Sequence, residues 1–74
     1  MAEGGAARVL LGVRGMDTDA SRGRVEQALQ EVPGVLRAEA SSDLQVAVEY
    51  DSAEVTVMDL IRALRRIGFL AGME

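Results

Sequence analysis

The stretch LQVAVEY, residues 44–50, has the clearest periodicity in the chain, and the predicted fold is built outward from it. Its apolar side chains alternate with other residues: Leu44, Val46, Val48 and Tyr50. A period of two is typical of a β-strand that buries one face. We therefore predict a strand over residues 44–50 that turns these four side chains into the core.

The segment just before it, VLRAEAS at residues 35–41, predicts a partner strand. Its expected inward side chains are Leu36, Ala38 and Ala40. Only Ser42 and Asp43 separate the two strands, and a connection this short is typical of a β-hairpin. A hairpin therefore stands at the centre of the predicted fold.

Helical spacing precedes the hairpin. Apolar residues lie at i, i+3, i+4 and i+7: Val25, Ala28, Leu29 and Val32. We predict a helix at roughly 18–32, with Thr18 or Asp19 as its N-cap. Pro33 and Gly34 end it, because proline cannot continue a helix and glycine relaxes the backbone.

Helical spacing also follows the hairpin. One face carries the apolar residues Leu60, Ile61, Leu64 and Ile67. Thr56 and Asp59 have the spacing of a capping box, with Asp in place of the usual Glu. Gly68 ends the pattern, so the second helix is predicted at roughly 56–67.

The two ends of the chain complete the pattern. RVLLGVR at residues 8–14 alternates as a strand does, and FLAGM at residues 69–73 predicts a short last strand. The order βαββαβ with right-handed crossovers is typical of a ferredoxin-like α+β sandwich. We expect a four-stranded antiparallel sheet with two helices on one face, formed by residues 8–74 and preceded by a flexible N-terminus at 1–7.

Composition excludes several classes of function. With 74 residues the chain is one domain, and it contains neither Cys nor His. No nucleophile–base pair can be assembled, so we expect no enzyme and no catalytic residues. The net charge of −4 argues against nucleic acid as a partner. The apolar runs are too short to span a bilayer, and we expect no signal peptide, no direct membrane insertion and a cytoplasmic protein.

The loop GMDTDAS, residues 15–21, lies between the first strand and the first helix and is the candidate functional segment. The loop begins with the motif Gly15-Met16. Further motifs follow along the chain: VEQAL at 25–29, VPGV at 32–35, VEYD at 48–51, VTVMDLIRAL at 55–64 and GF at 68–69. By these motifs and their spacing the chain resembles the heavy-metal-associated domain of copper chaperones and of metal-transporting P-type ATPases. The resemblance runs from about residue 9 to residue 71.

The chain departs from the family at the metal loop. The resemblance implies a GMxCxxC motif whose two thiolates bind Cu(I) or another soft ion, but Thr18 and Ser21 stand at the cysteine positions. Soft monovalent copper prefers sulfur ligands, and neutral hydroxyls are weak ones. We therefore expect a degenerate site and no cofactor for the chain as written.

Other residues of the loop have two interpretations each. Met16 is either a thioether ligand or, as the resemblance implies, a side chain that packs into the core. Asp17 and Asp19 either offer oxygen, with Ser21, to a harder ion or act as a cap and a partner of the helix dipole. The structural interpretation is favoured in each case.

Arginines near the loop also have two interpretations. They are Arg22 and Arg24 on the first helix and Arg62, Arg65 and Arg66 on the second. They either form a solvated face paired with Asp19, Glu26, Asp59 or Glu74, or dock an acidic partner. The resemblance implies docking through charged surface beside the loop, with a metal-transporting ATPase or another protein as partner. It also places Phe69 below the loop, in the core.

Three hypotheses about function remain open. The first is a small soluble domain of metal-transport or chaperone ancestry that acts through protein–protein contacts. The second is a weak metal-ion-binding or metal-transfer domain that uses oxygen ligands of the 15–21 loop. The third is that engineering replaced native cysteines, for which Ser21 would be an ordinary choice and Thr18 an odd one.

Overall fold

Four strands and two helices alternate along residues 6–73, which are the residues that the computed structural model describes. The elements are β1 (Ala6–Arg14), α1 (Asp19–Gln30), β2 (Val35–Ala40), β3 (Gln45–Asp51), α2 (Val57–Arg66) and β4 (Leu70–Met73). The strands pair antiparallel in the order β2-β3-β1-β4. This confirms the predicted ferredoxin-like fold. The predicted flexible segment lies largely outside the described residues, and β1 already includes its last two residues.

The core lies between the sheet and the two helices. The largest fully buried side chains come from β1, β3, both helices and the 15–21 loop: Leu11, Val13, Met16, Val25, Leu29, Val46, Val48, Leu60 and Leu64. Within residues 6–73 no polar or charged residue is buried. The described part of the core therefore consists of aliphatic side chains, Met16, Phe69 and the tyrosine Tyr50.

Side-chain caps start both helices, as predicted. Thr18 is the N-cap of α1, and its Oγ1 accepts a hydrogen bond of 3.0 Å from the backbone N–H of Ser21. Thr56 caps α2 in a reciprocal capping box with Asp59, whose carboxylate accepts the N–H of Thr56 at 3.0 Å. These bonds satisfy backbone donors that a helix start leaves unpaired.

Two leucines are placed differently from the prediction. Leu36 was expected in the core but is 62% exposed, because a bulge between Val35 and Arg37 inserts one extra residue into β2. Val35 packs against the core instead. Leu44 is 63% exposed, because β3 begins one residue later, at Gln45.

Candidate functional site

The 15–21 loop lies where several connections of the fold meet. The backbone N–H of Val13, at the end of β1, donates to the carbonyl of Leu44 at 2.8 Å, which brings the β2–β3 connection beside this end of β1. Gly15 has φ +106°, and a Cβ there would lie 3.2 Å from Cδ1 of Phe69. Phe69 is buried directly below the loop, as the resemblance implied. Glycine at residue 15 permits both the turn and this close approach.

Met16 belongs to the hydrophobic core. It is fully buried and lies in the same cluster as Leu11, Phe69 and the apolar faces of both helices. This buried position agrees with the interpretation that Met16 packs into the core. Its thioether faces other apolar side chains and is not exposed to solvent.

Thr18 and Ser21 bond to each other. The hydroxyl of Thr18 donates to Oγ of Ser21 at 2.9 Å while its oxygen accepts the backbone N–H of Ser21. Because α1 begins at Asp19, Ser21 lies in the first turn of the helix. The two residues at the family's cysteine positions therefore serve here as a helix cap and its partner.

The acidic residues of the loop are exposed, and one of them is ion-paired. Arg22 contacts Asp19 through Nη2 and Asp43 through Nη1, so it ties the start of α1 to the β2–β3 turn. Asp17 has no ion pair among residues 6–73. Across the same described range, no three Asp, Glu, His or Cys side chains are arranged to hold a metal ion.

Arg24 has a partner that the sequence did not indicate. Its guanidinium carbon lies 5.8 Å from the centroid of the Phe69 ring, within the range of a cation–π interaction. Glu26, considered above as its partner, instead accepts the backbone N–H of Ala40 at 2.7 Å and connects α1 to β2. Such contacts join residues far apart in sequence, so spacing alone gives no signal for them.

The three arginines of α2 are exposed and face two different grooves. Arg62 and Arg66 line the groove between the helices, which we call the helix groove, together with Glu31 and Asp59. Asp59 has a lowered pKa, first because the backbone N–H of Thr56 bonds to its carboxylate and to a smaller degree because Arg62 is near. Within the described part of the chain, none of the α2 arginines is in an ion pair.

Arg65 lies apart from the other two. It lines a second groove together with Arg14 and Leu70. Arg65 therefore faces a different groove from Arg62 and Arg66. Sequence reasoning missed Arg14 altogether, although its place at the end of β1, next to the loop and out of phase with the buried Val13, is a usable signal.

Comparison with protein families agrees with this geometry. The sequence model of the family described as heavy-metal-associated domain matches residues 10–69. The chain belongs to this family. None of the curated proteins compared with it matches.

Solved structures of similar proteins support the assignment of this heavy-metal-associated domain. It superposes on oxidized MerP from Ralstonia metallidurans CH34 with a TM-score of 0.88 and 27% identity, over 95% of this chain and 99% of that one. A CopZ metallochaperone gives 0.83 and 30% identity, over 89% of this chain and 100% of that one. The N-terminal domain of a potential copper-translocating P-type ATPase from Bacillus subtilis, solved in its Cu(I)-loaded state, gives 0.84 and 28%, over 92% and 86%. The domain therefore has metal-transport and chaperone ancestry.

The donor set of this domain differs in kind from what a soft metal prefers. The chain contains no cysteine, and Thr18 and Ser21 offer only neutral hydroxyl oxygens. Cu(I) is bound by thiolates and thioethers, and the loop's one thioether, Met16, is buried. These residues do not fit Cu(I). Separately, neither helix within residues 6–73 is long and apolar enough to cross a membrane.

Proposed function

We propose that this heavy-metal-associated domain has a degenerate metal site and acts in the cytoplasm, without catalysis, through contacts with other proteins. One observation carries the proposal. The hydroxyls of Thr18 and Ser21, at the positions of the family's thiolates, hydrogen-bond to each other at 2.9 Å, and the Thr18 side chain caps helix α1.

The scaffold of the loop nevertheless remains. Gly15 still makes the turn, Met16 still anchors it in the core and Phe69 still lies beneath it. Within the GMxCxxC pattern that the resemblance implies, Thr18 and Ser21 are the departures. We propose that the domain acts through its surface and not through these two positions.

The arginines of α2 support protein contacts. Arg62, Arg65 and Arg66 are exposed, and no ion pair within residues 6–73 neutralises them. Charged groups without an internal partner contribute little to stability and are available to steer association. Several structural relatives are domains of P-type ATPases, so a metal-transporting ATPase or another protein is the proposed partner.

No observation favours metal binding through oxygen ligands. Asp19 is paired with Arg22, and Asp17 has no second carboxylate within a metal-binding group among the described residues. Calcium prefers six or more oxygen ligands, which the loop does not supply. Titration of the unmodified domain with Ca(II) and Mg(II) tests this alternative.

Competition for Cu(I) against a strong chelator at neutral pH tests the proposal. We expect the unmodified domain to leave Cu(I) with the chelator. The double change Thr18→Cys and Ser21→Cys should create a two-thiolate site, because the scaffold is kept and a helix N-terminus favours thiolate at position 21. Asp17 and Asp19 oppose this effect, because nearby negative charge raises the pKa of a thiol.

Each single cysteine variant is the matched control. One sulfur cannot complete the coordination, so either single variant should bind far more weakly than the double variant, and circular dichroism should show all three folded. Capture of one equivalent of Cu(I) by the unmodified domain would refute the degenerate site. A folded double variant no better than the singles would show that the loop has left metal-binding geometry.

A further inference from the structure

A groove with an unusual lining lies at the end of the sheet beside the 15–21 loop. We call it the sheet groove; its lining comes from residues 12–14 of β1, residues 70–72 of β4, Leu44 and Arg65 of α2. Side chains alternate between the two faces of a strand, and the residues next to Gly12 in β1, Leu11 and Val13, are buried beneath the helices. Gly12 and Arg14 therefore face away from the helices, toward solvent.

The register of β1 and β4 explains the depression. Gly12 pairs with Gly72, so two residues without side chains lie next to each other and leave backbone as the floor. A Cβ at Gly72 would meet nothing within 4 Å. On either side stand Leu44 and Leu70, each 63% exposed. The open volume of about 730 Å³ suits a short stretch of peptide better than a single ion.

The charge of the sheet groove is of one sign. Among the residues that the structure describes, Arg14 and Arg65 line it and no acidic residue does, although the chain as a whole carries −4. Glu74, predicted above as a partner for the α2 arginines, lies outside the described residues. Neither arginine is in an ion pair within residues 6–73. Asp43, next to Leu44 in sequence, is held by Arg22 and is not among the lining residues.

Other arginines of the domain have acidic neighbours. Arg8 pairs with Glu49 at 3.3 Å, and Arg37 lies 3.9 Å from Glu39. The helix groove contains Glu31 and Asp59 beside its arginines, so its charge is mixed. Exposed leucine side chains and unneutralised arginines coincide in the sheet groove.

We propose that the sheet groove binds a short segment of a partner protein in which carboxylates alternate with apolar side chains. The apolar side chains cover Leu44 and Leu70, and the carboxylates pair with Arg14 and Arg65. This inference rests on the proposed function, for which it names a docking surface and the chemistry of the partner. Two copies of the chain would not meet groove to groove, because both grooves present positive charges.

Two blocked peptides test this by NMR titration of the ¹⁵N-labelled domain: LELEL and its uncharged counterpart LQLQL. LELEL should shift the amides of Gly12, Arg14 and the 70–72 segment in a saturable way, and added salt should weaken binding. LQLQL should bind at least several-fold more weakly. Because each partly exposed ion pair contributes only modestly to binding, Arg14→Gln and Arg65→Gln should each weaken LELEL about threefold and together about tenfold.

Matched variants separate this surface from the rest of the domain. Arg37→Gln removes an exposed charge from β2, outside the sheet groove, and Leu36→Ser changes an equally exposed leucine elsewhere; both should bind LELEL as the unmodified domain does. Leu70→Ser should weaken it. Circular dichroism checks that every variant is folded.

Several results would overturn the inference. The first is that millimolar LELEL causes no saturable shift, and the second is that LQLQL binds equally well. The third is that the shifts are confined to the helix groove. The fourth is that the amide shifts change with protein concentration in the absence of peptide, which would mean that a second copy occupies the groove. Failure here is distinguishable from failure of the proposed function. Capture of Cu(I) would refute the degenerate site whatever the peptides do, and absence of peptide binding would leave the Cu(I) result unchanged.

Discussion

Replacing Gly34 by alanine should cost this domain far more stability than the same replacement at Gly68. Both glycines have φ +96°, a conformation that residues with a side chain rarely adopt. Their surroundings differ. A Cβ on Gly34 would lie 2.7 Å from Cβ of Glu54 and 3.0 Å from Cγ1 of Val55, whereas a Cβ on Gly68 would meet nothing within 4 Å.

The two sites separate backbone strain from steric overlap. A left-handed conformation costs a residue with a Cβ about 1–2 kcal/mol, and at Gly68 we expect only this term. At Gly34 the Cβ must also displace Glu54 and Val55, and overpacking typically adds about 1–3 kcal/mol. The expected total at Gly34 is about 2–5 kcal/mol, and a domain of this size has only about 3–5 kcal/mol to lose.

Urea unfolding followed by far-UV circular dichroism measures both variants against the unmodified domain. We expect Gly68→Ala to shift the midpoint moderately and Gly34→Ala to be unfolded at low urea or in its absence. Equal losses of free energy at the two sites would refute the reasoning. Backbone conformation alone would then set the cost, and the close approach of the 54–55 turn to Gly34 would have no energetic consequence.

Two further predictions use the same assay. Leu64→Ala should lose about 2–5 kcal/mol, because Leu64 is fully buried on α2, while the control Leu36→Ala should stay within about 0.5 kcal/mol; equal losses would show that α2 does not bury this face. The pKa of Asp59 is lowered from 3.8, chiefly because the backbone N–H of Thr56 bonds to its carboxylate. A lowered pKa gives stability that is present above the unfolded value and is lost as pH falls through the folded value. Asp59→Asn should therefore flatten the loss of stability below about pH 4, and an unchanged acid slope would contradict the capping box.

The periodicity of apolar residues predicted the helices and strands, because the buried side chains of each element recur with the period of that element. Strand β3 and the apolar face around Leu64 follow from the sequence for that reason. Leu36 and Leu44 do not. Whether β2 contains a bulge and where β3 begins depend on how the strands pair. Pairing brings together residues of different strands, and the periodicity within one strand carries no information about it.

The candidate site was predictable to a similar extent. The family motifs predicted the positions of the 15–21 loop and of Phe69, because proteins that share those motifs share the fold and the place of the loop in it. The bridge from Arg22 to Asp43, the position of Arg24 over Phe69 and the sheet groove beside Arg14 arise only when distant segments meet. No local pattern predicts them.

The proposed role of the 15–21 loop is that of a turn and a helix cap that holds no metal. Its most direct test is the ¹H–¹⁵N spectrum of the unmodified domain under reducing conditions, with one equivalent each of Cu(I), Zn(II), Ca(II) and Mg(II) in separate samples. We predict that the amides of Asp17, Thr18, Asp19 and Ser21 stay in place with every ion, because Thr18 and Ser21 are bonded to each other and Asp19 is paired with Arg22. Saturable, stoichiometric shifts of these amides with any one ion would contradict the claim. Shifts with Cu(I) would restore a soft-metal site, and shifts with Ca(II) or Mg(II) would establish the oxygen-ligand alternative.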